Sequence, residues 1–84
     1  MDNRQWVDSP SATPPSLPAS PSAGYPSYGN PSTPTPGTLL DAWWLHAVGE
    51  EIRNAIEAGG LTPDYETLDQ LATSITNQIS AATG

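Results

Sequence analysis

Nine of the ten prolines lie before residue 37. Proline fixes φ and removes a backbone donor, so neither a helix nor a central strand runs through residues 9–37. That stretch is low-complexity Ser/Pro/Ala/Thr/Gly, and polyproline II or irregular extension is its expected state. Extended at about 3.1 Å per residue, the first 37 residues reach roughly 110 Å. Foldable material is thereby confined to about residues 38–82, near the size at which a lone core becomes inadequate. Cysteine is absent, which removes disulfides and thiolate metal sites as supports. Size alone then calls for oligomerisation or for docking on a larger partner.

The segment from Gly37 to Gly60 carries the strongest helical period and two of the three tryptophans. Thr38 is a suitable N-cap, with Asp41 three residues on completing an Asp version of the capping box. Gly59-Gly60 stops the helix, because glycine reaches the left-handed conformation without steric cost. At about 100° per residue, Leu40, Trp44, Leu45, Val48, Ile52, Ala55 and Ile56 share one broad face. His46, Glu50, Arg53 and Glu57 occupy the opposite face at spacings that allow mutual pairing. After the Leu61-Thr62-Pro63-Asp64 connection, Leu68, Leu71, Ala72, Ile75, Ile79 and Ala82 form a second, narrower stripe. Its other face is Thr, Ser, Asn and Gln, poor helix formers that rely on packing.

The predicted fold is therefore mostly α. An extended Pro/Ser-rich leader (1–37) precedes a helix–loop–helix hairpin (38–84), with helices over about 39–58 and 65–82. An isolated hairpin would leave both stripes wet, so an oligomeric helical bundle is expected. Leu45, Val48, Ile52 and Ala55 repeat at threes and fours, compatible with a coiled-coil seam and with trimers. Trp44, Leu45, Val48, Ile52, Ile56, Leu68, Leu71 and Ile75 are the candidate oligomer core.

Partner-binding candidates are the aromatics outside that stripe. Residues 1–8 read either as a frayed end or as a docking peptide, and Trp6, with no core of its own to join, favours docking. Tyr25 and Tyr28 sit in a Gly/Pro/Asn-rich cluster that reads as turns offering aromatic contacts. Trp43 projects from the polar side of the helix, either covered by the leader or in contact with another chain. Trp44 is assigned to the core.

There is no lysine, and only Arg4 and Arg53 oppose nine acidic residues, for a net charge of −7. That balance argues against phosphate-backbone binding and against an anionic membrane surface. No apolar run is long enough to span a bilayer and no signal peptide is evident. His46 lacks companion metal ligands, and a surface ion pair with Glu50 is the simpler role. The linker serines lack a GxSxG context and a rigid scaffold. No catalytic residue, cofactor or metal site is expected, so the chain reads as a non-enzyme.

Gly24-Tyr25-Pro26, Gly29-Asn30-Pro31, Trp43-Trp44, Glu50-Glu51-Ile52, Asn54, Ile56-Glu57-Ala58, Gly60-Leu61-Thr62-Pro63-Asp64 and Leu68…Leu71 together resemble the N-terminal region of tailed-bacteriophage tail-fibre proteins. The likeness covers roughly residues 22–79, most specifically the block from Glu-Glu to Thr-Pro-Asp. It implies a trimeric virion component, made in the host cytoplasm, in which this region attaches the fibre to other tail or baseplate proteins. Members of that family continue into a shaft and a receptor-binding tip. Because this sequence stops at Gly84, only the attachment role carries over, as a stand-alone anchor or adaptor subunit. From a different class, the alternative is a soluble acidic adaptor that binds a regulatory protein through its amphipathic helix.

Overall fold

The computed structural model describes residues 1–83; Gly84, the last residue of the expected hairpin, lies outside them. Among the described residues two α-helices make up the regular structure, α1 at Ala42–Ala58 and α2 at Gln70–Thr83. No strand occurs among the described residues, and the fold is mostly α. The radius of gyration is 17.2 Å, against about 12 Å for a compact chain of this length. The leader accounts for the difference.

Helix α1 begins three residues later than the sequence predicts. Asp41, not Thr38, is the N-cap, its carboxylate accepting the Trp44 backbone N–H at 3.0 Å. Thr38 is engaged elsewhere. Its hydroxyl accepts the Ser27 N–H at 2.7 Å and its own N–H donates to the Ser27 carbonyl at 2.9 Å. With the threonine committed to the leader, Asp41 takes the cap, where its carboxylate also faces the positive helix end. Leu39 and Leu40 are left outside the helix and exposed.

The C-terminal stop forms as the glycine pair requires. Gly60 adopts φ +82°, its N–H donates to Glu57 at 2.9 Å and the Leu61 N–H donates to Ile56 at 3.4 Å. These two bonds define a Schellman motif. Helix α2 starts five residues later than expected. Asp64 builds a turn instead of a helix start, accepting from Glu66 N at 3.0 Å and from the Thr67 hydroxyl at 3.2 Å. The first helical bond runs from Thr73 N to the Asp69 carbonyl.

The two helices meet through a seam that is small and polar. Ile56 is completely buried, and Ser74 is completely buried opposite it. The Ser74 hydroxyl donates to the Ala55 carbonyl, accepting in turn from the Gln78 amide at 3.1 Å. Asn77 donates to the Gly59 carbonyl at 3.1 Å. A Cβ on Gly59 would stand 2.5 Å from the Ser74 Cα, so glycine is what lets the backbones approach. The face of α2 that docks on α1 is thus the Ser/Asn/Gln face, the one its hydrophobic pattern marks as outward. Its apolar stripe points away.

The leader is not uniformly extended. Residues 27–38 close on themselves through the Ser27–Thr38 pair and an isolated bridge between Asn30 and Thr35. Gly29 at φ +78° allows the turn, and the Asn30 carboxamide accepts the Ser32 N–H at 2.9 Å, a typical local Asn turn.

Candidate functional site

The sequence-predicted residues divide into three groups by their place in the structure. Leu45, Val48, Leu71 and Ile75 lie on exposed apolar stripes together with Trp44, and Leu68 is largely bare just before α2. Trp44, Val48 and Ala55 share one side of α1 by their spacing; Leu71, Ile75 and Ile79 share one side of α2. Ile52 is half-buried, whereas Ile56 is wholly enclosed within the hairpin and belongs to its internal packing.

In the single chain the two tryptophans differ in cover, and Trp44, assigned to the oligomer core, is the more open of them. Trp44 is 51% exposed, while Trp43 is the better covered of the two. The wheel position of Trp44 between Leu40 and Val48 places it on the apolar face assigned to the oligomer core.

Of the leader aromatics, Tyr25 and Tyr28 are fully exposed. Trp6 is half-exposed and borders an open cavity of about 410 Å³, shared with residues 10–15 and with Ala42, Leu45 and His46 of α1. The structure does not bring Trp6, the tyrosines and Trp43 into one site.

Sequence reasoning missed how the first four residues bind. Met1 ammonium donates to the carbonyls of Asp64, at 2.5 Å, and Thr67, and to Gln70 Oε1 at 2.6 Å. Gln70 is held for this by its own bonds, Oε1 accepting from Asp64 N at 2.9 Å and Nε2 donating to Thr62 O at 2.8 Å. Arg53 binds Asp2 at 2.7 Å and also donates to the Asn3 carboxamide oxygen at 3.2 Å. Asn3 and Arg4 both donate to Glu50, at 3.2 and 2.5 Å. Only the alternation of charge in Asp2 and Arg4, matched by Arg53 and Glu50, hinted at this clasp.

The electrostatics follow from those bonds. The Arg4 backbone N–H, with Arg53 beside it, holds the Asp2 carboxyl below its usual range against the opposing effect of burial. Glu50 is likewise lowered, first by the Asn3 amide and then by Arg4 and His46, again against burial. The pairings expected along α1 are present, Arg53–Glu57 at 3.2 Å and His46–Glu50 at 3.8 Å.

No group of three or more metal-ligating side chains occurs among the described residues. No described helix is long and apolar enough to cross a membrane. The described surface carries exposed apolar stripes, projecting aromatics and a charged clasp. No protein-family model, curated protein or solved structure matches this chain.

Proposed function

We propose that this chain is a non-enzymatic structural subunit of a phage tail, which anchors or adapts a fibre to the tail or baseplate. In this reading it self-associates, as a trimer, through the exposed stripes of α1 and α2. The leader then docks on neighbouring virion proteins through Trp6, Tyr25 and Tyr28.

The tail role rests on the tail-fibre resemblance of the sequence, and one observation supports the self-association within it. The helices use a polar seam to hold each other, leaving Trp44, Leu45, Val48, Leu71, Ile75 and Ile79 exposed. Exposed apolar groups gathered on helix faces are the mark of an interaction surface. Burying each of these large side chains would contribute about 1.5–3 kcal/mol. A hairpin with one fully buried hydrophobic side chain gains much from that. The charge of −7 directs the search to protein partners, since it repels nucleic acid and anionic lipid alike.

Two measurements test the proposal. Sedimentation of the purified chain at micromolar concentration should show trimers, and mass spectrometry of purified phage particles should find the chain in stoichiometric amount. A folded monomer absent from particles would favour the soluble regulatory adaptor instead.

A further inference from the structure

The N-terminal clasp is a built binding site whose occupant is a short peptide on a long tether. Reading along the peptide, an ammonium meets three oxygen acceptors, a carboxylate meets Arg53, a carboxamide lies on Gly49, and a guanidinium meets Glu50. The seat is shaped as well as charged. A Cβ at Gly49 would lie 2.7 Å from the Asn3 Cβ, and Gln70, only 8% exposed, turns its Oε1 to the ammonium. Both cationic side chains of the protein, Arg4 and Arg53, take part.

We propose that residues 1–4 are an exchangeable arm, seated on its own hairpin in the isolated chain and on the hairpin of a second copy in the oligomer. The inference rests on the self-association proposed above. Among the described residues, no hydrogen bond links residues 5–40 to either helix. The arm is therefore joined to α1 by a tether that no hydrogen bond fastens to the helices, and Trp6 and residues 8–15 only border α1 across an open cavity.

With residues 27–38 closed on themselves, the free stretch 5–26 spans roughly 25 Å on average as a flexible chain and about 70 Å at full polyproline extension. Packed helices of adjacent copies lie about 8–10 Å apart, so a neighbour's seat is within reach. The contacts made in the neighbour's seat are the same ones made in cis, and exchange gives up none of them. What differs is the path of the tether. Six prolines within residues 5–26 stiffen that stretch, which penalises doubling back on the same hairpin and favours reaching away. Within an assembly the arm's effective concentration at a neighbouring seat is on the order of millimolar. Exchange then interlocks the copies without any contact that a single chain lacks.

Photo-crosslinking of the full chain tests this. Gln5 borders one cavity with Tyr65 and Leu68, so benzoylphenylalanine in place of Gln5 should capture the segment around those two residues. Ordinary and ¹⁵N-labelled chains are mixed equally, refolded together from urea and irradiated. At concentrations where sedimentation shows oligomers, about half of the cross-linked peptide pairs should carry mixed isotopes, as random neighbour pairing requires. On dilution to monomer, mixed pairs should vanish while same-isotope pairs persist. The same label at Val7, exposed on the same cavity, should repeat the pattern and guards against misfolding caused by the first. Same-isotope pairs alone in a demonstrated oligomer overturn the exchange and leave self-association standing. Absence of any capture around Tyr65 and Leu68 overturns the seat itself. A monomer at every concentration removes self-association, and the exchange with it.

Discussion

Asp2 and Arg53 stand 51 positions apart in the chain and meet at 2.7 Å, with most of both side chains covered. Through this pair the leader returns to the middle of α1. Asn3 and Arg4 extend the attachment to Glu50, one turn earlier, and the ammonium extends it to the start of α2. The tip of the leader is thereby the part of it most firmly tied to the helices.

Acid should release that tip. Asp2 and Glu50 both have folded-state pKa values lowered from the ordinary carboxylate range. A group lowered on folding contributes stability that is fully present above its unfolded value, about 4. That contribution is lost as pH falls through the lower folded value. The clasp should therefore be intact at neutral pH and open progressively below about pH 4. Trp6 fluorescence across an acid titration checks it, with Asp2→Asn and Glu50→Gln expected to flatten the transition.

Gly59→Ala should destabilise the hairpin. The added methyl would stand 2.1 Å from the Ser74 hydroxyl and 2.5 Å from its Cα, and a backbone atom cannot rotate aside. Overpacking of this kind costs about 1–3 kcal/mol. Urea unfolding followed by far-ultraviolet circular dichroism measures the loss; an unchanged midpoint would show that the helices do not approach as described.

Ser74→Ala tests the polar half of the same seam. The substitution removes the donor to Ala55 and the acceptor for Gln78, leaving a carbonyl without its partner. A loss of about 1–3 kcal/mol is expected. Full retention of stability would mean that water replaces the hydroxyl there.

The two tryptophans should behave oppositely. Trp44→Ala removes a ring that is 51% exposed in the single chain. Monomer stability should change by less than about 1 kcal/mol, while self-association weakens. Trp43→Ala, at the more covered position, should lower the melting temperature of the monomer itself. Thermal melts paired with sedimentation separate the two effects.

Ile75→Asp should leave helicity in place, since the side chain is half-exposed on α2. A charge on the stripe should still weaken self-association at least about tenfold. Sedimentation across a concentration series gives the result, and undiminished association would remove this stripe from the interface.

Much of α1 was legible. Val48, Ile52 and Ile56 mark its period, and Gly59-Gly60 mark its end, because these signals are local. Its start was misplaced because Thr38 answers to Ser27, a partner the helical pattern does not contain. The packing face of α2 was hidden for a different reason. Hydrophobic periodicity finds Leu71, Ile75 and Ile79, but the helices join where Gly59 and Ser74 are small enough to touch. The clasp was illegible because its bonds join residues about 50 positions apart, and nothing local records which charges will meet.

The Gly59–Ser74 contact has a geometric consequence beyond stability. Two helices brought this close at Gly59 and Ser74, with a hydroxyl and an amide bonded across the seam, have little freedom to turn against each other. The greasy side of each rod leaves the hairpin along a fixed bearing. Whether copies laid along those bearings close into a ring or run on as a chain is decided by rotation per copy. One missing Cβ and one serine therefore act as the protractor of anything built from this unit.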